Sequence, residues 1–226
     1  MFSVIFPGQG SQLVGMGKEF YEKYDLVKQL FKEADDVLGM SLSKIILEGP
    51  KEELDLTLNT QPAIFLVSYS IFNVLKKEFN FDFDKAKYFA GHSLGEYSAL
   101  SCAGYLKFSK TLMLLRCRGD AMQNAIPKGE GGMVAVLGST VEAIEKILND
   151  NKDDFLSEIA NDNSDGQIVL SGKNNDLIKL TDALKTNGIK NIKLPVSAPF
   201  HCKLMNNATE IMEQEIKKIN FEDSNK

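Results

Sequence analysis

Gly91-His92-Ser93-Leu94-Gly95 decides the fold. The short, mostly apolar stretch Lys87-Tyr88-Phe89-Ala90 precedes it, and Glu96-Tyr97-Ser98-Ala99-Leu100 behind it reads as a helix start. A strand, a G-x-S-x-G turn and a helix together form a nucleophile elbow. The sharp turn lifts the Ser93 hydroxyl out of the sheet and crowds the backbone around it. Glycines two residues to either side relieve the crowding because they carry no Cβ. The helix N-terminus then aims N–H groups at an anion forming on a substrate. An ordinary Gly-rich turn could share the five residues, but the flanking strand and helix favour a nucleophile.

The rest of the chain sets bounds on what that serine can serve. Its 226 residues suffice for one large domain or two small ones. With 43% hydrophobic and 25% charged residues, the chain is expected to fold as a water-soluble globule. A net charge of −5 argues against nucleic-acid binding through bulk electrostatics. Cys102, Cys117 and Cys202 are odd in number and widely spaced, so no disulfide framework or metal pattern follows and a reducing, cytoplasmic setting is expected. No apolar run is long enough to span a bilayer, and residues 2–7 read as a first strand rather than a signal peptide.

Before the elbow, residues 3–6 read as a buried strand stopped by Pro7-Gly8. In the loop Pro7-Gly8-Gln9-Gly10-Ser11-Gln12, two glycines around a glutamine let the backbone pass close to another group, though an ordinary turn reads the same. Leu26-Val27, Leu30-Phe31, Ala34 and Val37-Leu38 repeat at helical spacing, and Gly39 is a stop. Residues 42–58 suggest short helices broken at Gly49-Pro50. Residues 60–77 predict a buried helix with Thr60 as N-cap and Pro62 in its first turn. After the elbow, 108–125 predicts a helix with Leu112, Leu115, Gly119 and Met122 on one face. Arg116 in that helix reads by default as solvated.

Residues 127–132 mark a composition break. Beyond it the expected order is strand 133–137, helix 141–148, strand 155–160, a turn cluster at 161–166, strand 167–171, helix 177–186 and strand 189–194. This β-α-β-β-α-β order is the ferredoxin-like one. The chain then returns through Pro195 and Pro199 to Phe200-His201, and a helix runs on to about residue 219. The expected fold is therefore α/β, with an insert at 127–197 dividing a large domain of 1–126 and 198–226.

A serine hydroxyl needs a base to act as a nucleophile near neutral pH. The chain has two histidines. His92 adjoins Ser93, where neighbouring side chains diverge, so it reads as packing or support. His201 remains as the base, opening a helix after Pro199-Phe200. No acidic third member is evident near it.

On these residues the chain resembles the malonyl-CoA:acyl carrier protein transacylases of fatty-acid synthesis and the related acyltransferase domains of polyketide synthases. The likeness is carried by Phe6 to Gln12, Gly91 to Tyr97, Arg116-Cys117-Arg118-Gly119 with Met122-Gln123, Asn161 to Gly172, and Pro195 to His201. It implies an α/β-hydrolase-like large domain with a parallel sheet and a ferredoxin-like insert. It also implies that Ser93 is the acyl-accepting nucleophile and His201 its base. Gln9 and the Leu94 N–H would serve the oxyanion hole, Arg118 would pair with the substrate's free carboxylate, and Asn163 would line the substrate channel. Phe200 would narrow the pocket beside the α-carbon.

The implied substrates are malonyl-CoA and phosphopantetheinylated acyl carrier protein, with no cofactor and no metal. The implied partners include neither nucleic acid nor membrane, and the enzyme is expected to be a monomer. An acidic carrier would need a local basic patch, drawn from Lys190, Lys193, Lys203, Lys217 and Lys218. Family members usually run some tens of residues further. The resemblance therefore implies a C-terminal part, on a longer or a separate chain, that completes the large domain and orients the histidine through a carbonyl. A serine esterase or thioesterase would share Ser93 and His201 but need no cation at Arg118. A non-catalytic scaffold would need neither.

Overall fold

The computed structural model describes residues 1–127, 129–196 and 198–224. Lys128 in the expected domain break, Ser197 in the expected return segment, and Asn225 and Lys226 at the end lie outside the described residues. In chain order the elements are β1 (Phe2–Phe6), α1 (Lys18–Lys23), α2 (Asp25–Leu38), α3 (Leu42–Glu48), α4 (Lys51–Leu54), α5 (Thr57–Lys77), β2 (Ala86–Gly91), α6 (Gly95–Cys102), α7 (Phe108–Gln123), β3 (Gly131–Leu137), α8 (Val141–Asp150), β4 (Ser157–Ser164), β5 (Gln167–Lys173), α9 (Asn174–Thr186), β6 (Lys190–Lys193) and α10 (Asn206–Lys217). Short 3-10 turns occupy Phe83–Lys85 and Lys203–Met205.

The chain packs as two units, 1–120 with 212–226, and 121–211. These boundaries fall inside α7 and α10, whereas the expected ones are 126/127, from the composition break, and 197/198, from the return of the chain after the last strand. The reason is packing: Ala121 and Met122 at the end of α7 join Met133, Val169, Phe200 and Met205 in one cluster.

In the first unit, β1 and β2 pair in parallel, with Val4 opposite Phe89 and Phe6 opposite Gly91. Alternation turns Phe2, Val4 and Phe6 toward a cluster with Phe72, Phe83 and Phe89. Ile5 on the other face is 75% exposed, so β1 is buried on one side only, against the expectation of a buried strand. Helices supply the larger core. Val27, Phe31 and Ala34 of α2 are buried at helical spacing, and Gly39 closes that helix with a left-handed φ of 62°. They meet Leu42 and Ile46 of α3, residues 63–66 of α5, Leu94, and Phe108, Leu112 and Leu115 of α7.

The apolar run of α5 is buried as expected, but the helix starts at Thr57, not after Thr60. Thr60 is no N-cap: its hydroxyl donates back to the Leu54 and Leu56 carbonyls at 2.5 and 3.1 Å. Pro62 thus sits inside the helix and has no N–H for the Leu58 carbonyl. Arg116 Nη1 donates to that carbonyl instead, at 3.2 Å, and also to Asn59 Oδ1. Arg116 is therefore a structural donor rather than a solvated side chain. Phe65 is fully buried, with ring centroids 5.6 Å from both Tyr69 and Phe108. Phe65→Ala is expected to cost about 3–5 kcal/mol in urea unfolding. A loss well under about 1 kcal/mol would mean that the site collapses around the missing ring.

The second unit has the β-α-β-β-α-β order predicted, in an antiparallel sheet ordered β4-β5-β3-β6. Both faces are covered. Val134, Val136, Ile168 and Leu170 face Ile144 of α8 and Leu177, Leu180 and Leu184 of α9. Met133 and Val169 face Ala198, Phe200 and Met205. Burial on both sides explains the nearly continuous apolar runs of β3 and β5.

Several element boundaries move: β4 begins at Ser157 rather than 155, β5 ends at Lys173 rather than 171, α8 ends at Asp150 rather than 148, and β6 spans Lys190–Lys193 rather than 189–194. Gly131 and Gly132, expected in the linker, pair with Lys173 and Gly172 and begin β3. α9 starts at Asn174, three residues before the expected 177. β4 continues to Ser164, so the expected turn cluster 161–166 shrinks to Asp165-Gly166. Ladder pairing with β5 overrides the turn preference of Asn161, Asp162 and Asn163, and the register slips between Ile159 and Asn161 and again between Asp162 and Ser164. No described helix is long and apolar enough to cross a membrane.

Candidate acyl-transfer site

The elbow is built by backbone contact. β2 ends at Gly91 and α6 begins at Gly95, leaving three residues to reverse the chain. A Cβ on Gly91 would lie 1.9 Å from the Gly95 carbonyl carbon, and one on Gly95 would lie 2.6 Å from the Phe6 oxygen. No side chain fits at either position. Ser93 takes the strain, with a left-handed φ of 54°. Leu94 behind it is fully buried, so the turn is anchored on one side while the Ser93 side chain stays partly exposed.

The Gln9 loop packs on this turn. A Cβ on Gly8 would meet His92 Nδ1 at 2.5 Å and the His92 carbonyl at 2.8 Å, and the His92 N–H donates to the Phe6 carbonyl at 3.1 Å. The group that Gly8 allows the loop to approach is thus the elbow itself, whereas Gly10 has nothing within 4 Å and serves the turn through its φ of 106°. Gln9 Nε2 donates to Thr57 Oγ1 at 3.3 Å. Ser11 Oγ donates to the Gly8 carbonyl at 2.9 Å. Gln12 bridges the Gly10 N–H (2.8 Å) and Asp55 (2.9 Å). The Gln12 amide, and then Lys51, hold the Asp55 carboxyl below its ordinary pKa.

Arg118 reaches the serine. Its Nη2 donates to Ser93 Oγ at 3.1 Å, its Nη1 donates to Gln61 Oε1 at 2.6 Å, and its Cζ stands 5.7 Å from the centre of the Tyr97 ring. Burial pulls the Arg118 pKa below its ordinary value, with Tyr97 and Glu96 opposing. Burial likewise pushes the Tyr97 phenol up. An arginine titrates so far above neutrality that the guanidinium stays charged. Among the described residues, no carboxylate forms an ion pair with it. The first unit thus holds Ser93, Leu94 and Arg118 around one turn, with the loop carrying Gln9 packed on it through Gly8 and the Gln9 amide turned to Thr57.

His201 and Asn163 belong to the second unit. His201 does not open a helix: α10 starts only at Asn206, and His201 sits on the preceding turn with a left-handed φ of 58°. The turn is pinned on both sides. Ser171 Oγ donates to the Phe200 carbonyl at 2.5 Å, and Cys202 Sγ donates to the Pro199 carbonyl at 3.1 Å. The imidazole is exposed while Phe200 is buried in the core of its unit. Asn163 lies on β4 where the register slips, not in a turn, and is also exposed. A bulge re-aims the side chains around it.

Sequence reasoning passed over Gln61, Tyr97 and Thr57. Gln61 follows Asn59 and Thr60 in the polar opening of α5, before its apolar run, and nothing in its sequence neighbourhood marks it. The three cysteines are free thiols. Among the described residues no three His, Cys, Asp or Glu side chains are grouped to hold a metal ion.

A family model described as "Acyl transferase domain" matches residues 3–225. Malonyl CoA-acyl carrier protein transacylase of Bacillus subtilis (strain 168) is 43% identical over 223 residues, which are 97% of this chain and 69% of that protein. The crystal structure of acyl-carrier-protein-S-malonyltransferase from Bartonella henselae superposes with a TM-score of 0.93 at 41% identity, covering 99% of this chain and 72% of that one. A malonyl-transacylase solved in complex with a type II polyketide acyl-carrier protein superposes with a TM-score of 0.92 at 38% identity, covering 98% and 71%. With the family model spanning nearly its whole length, this chain belongs to the acyl transferase domain family.

Proposed function

We propose that this chain transfers malonyl from malonyl-CoA to the phosphopantetheine thiol of acyl carrier protein through a malonyl-Ser93 intermediate, in fatty-acid synthesis. The observation that carries this reading is the partly buried guanidinium 3.1 Å from the Ser93 hydroxyl, with no carboxylate paired to it among the described residues. A cation beside a nucleophile selects acyl groups that carry an anion of their own.

In the first half-reaction Ser93 Oγ attacks the thioester carbonyl and its proton passes to His201. The oxyanion is met by the Leu94 N–H and the Gln9 region. The C–S bond breaks, CoA leaves with the proton from His201, and an ester bond to Ser93 remains. In the second half-reaction the carrier's thiol gives its proton to His201 and its sulfur attacks the ester. The ester C–O bond breaks and Ser93 recovers the proton. Ping-pong kinetics follow. Asn163 lines the acyl channel in this reading, and no cofactor takes part. The monomeric state, the cytoplasmic setting, the hydrolase-like and ferredoxin-like descriptions of the two sheets, and the 127–197 insert belong to the same proposal. So does docking on lysines. Lys203, Lys217 and Lys218 each hold a surface ion pair, with Glu158, Glu213 and Glu215, and such pairs are weak enough for an acidic carrier to displace.

The test is labelled malonyl-CoA with and without the carrier. Label should load the protein and then move to the carrier. Label released to water at the same rate with or without carrier would identify a hydrolase instead.

A further inference from the structure

Arg118 is held by a neutral group. Gln61 is 1% exposed, and its amide oxygen accepts from Nη1 at 2.6 Å while Nη2 reaches Ser93. A buried guanidinium ordinarily takes a carboxylate partner, because an ion pair offsets part of its desolvation. A carboxylate here would also cancel the charge that a substrate anion needs.

The helix bearing Gln61 is braced against the helix bearing Arg118. Leu58 and Gln61 lie three residues apart on α5, as do Arg116 and Gly119 on α7, so each pair shares a helix face. Gly119 allows the crossing: a Cβ there would lie 2.6 Å from Leu58 Cα and from the Thr57 oxygen. Arg116 fills the hydrogen bond that Pro62 leaves open at Leu58 and also holds Asn59. Asn59 Nδ2 in turn donates to the Glu53 carbonyl at 2.8 Å. The start of α5 is thereby tied down immediately before Gln61.

We infer that Gln61 is a specificity-determining positioning residue: its neutral amide fixes the Arg118 guanidinium beside Ser93 and leaves the positive charge for the free carboxylate of the acyl group. The inference rests on the malonyl-transfer reading. Gln61→Glu keeps the size and the acceptor but adds a compensating charge. Gln61→Met keeps the size and removes the acceptor.

The experiment follows Ser93 acylation by intact mass, with malonyl-CoA and acetyl-CoA each titrated to give kcat and KM, on wild type and both variants after circular dichroism has checked their folding. Gln61→Glu should lower the malonyl-to-acetyl ratio of kcat/KM by about 10- to 100-fold, mostly through a raised malonyl KM. Gln61→Met should lower the same ratio by about 10-fold, with a larger share in kcat, because the guanidinium is no longer aimed. A purely structural glutamine would lower both acyl groups alike. An unchanged ratio in either folded variant, with wild type loading malonyl, overturns this inference alone. A wild type that takes up no malonyl overturns the function as well.

Discussion

Ser93→Ala should abolish the acyl-enzyme: after brief exposure to malonyl-CoA, intact mass should show no adduct, and transfer to carrier should fall by about 10⁴-fold or more. The size of the effect follows from what the elbow is built to present. Gly91 and Gly95 approach so closely that neither tolerates a Cβ, and Ser93 alone takes the left-handed position of the turn, partly exposed at φ 54°. A neighbouring hydroxyl cannot substitute from within that turn: His92 and Leu94 flank it, and Ser98, the next serine, is fully buried on α6. Alanine keeps the left-handed strain and removes one oxygen, so stability should change by less than about 1 kcal/mol. The loss can then be assigned to chemistry. An adduct of unchanged yield on Ser93→Ala would place the nucleophile elsewhere and remove the elbow from the mechanism.

The elbow could be read from sequence because its constraint is local. Five residues, with a strand before and a helix after, leave the backbone one tight path, and the glycine spacing records it. Central strands β3 and β5 were legible for a similar reason, since burial on both faces leaves continuous apolar runs. The errors have a common physical source. Thr60 and Pro62 mimic a helix start, yet α5 begins earlier because Thr60 bonds back to Leu54 and Arg116, 58 residues from Leu58, satisfies the carbonyl that Pro62 orphans. Asn161, Asp162 and Asn163 have turn chemistry, yet the β5 ladder holds them in β4. Ile5 reads as core because apolarity does not say which face of a strand is covered. Gln61 was illegible for the deepest reason. Its role exists only once α5 and α7 cross and bring it to Arg118, 57 residues away.

Arg118→Ala should reverse the enzyme's preference. A malonyl carboxylate brought to the site without its partner becomes a poorly solvated anion, a loss of roughly 3–5 kcal/mol by analogy with broken buried ion pairs. Malonyl kcat/KM should therefore fall by about 10²–10⁴-fold. Acetyl carries no anion, so its loading of Ser93 should fall by less than about 10-fold. Arg118→Lys separates charge from geometry. A lysine restores the positive charge but not the planar fork that spans Gln61 on one side and Ser93 on the other, nor the same stacking on Tyr97. It should recover part of the malonyl affinity while leaving kcat low, because a point charge attracts the carboxylate without fixing the thioester over the serine. The measurement is single-turnover loading of Ser93 by each acyl-CoA for wild type and both variants. If Arg118→Ala depresses malonyl and acetyl equally, the guanidinium serves the serine rather than the substrate. Its 3.1 Å contact with Ser93 Oγ would then be its whole function, and Gln61 would be holding a residue that has no part in choosing the acyl group.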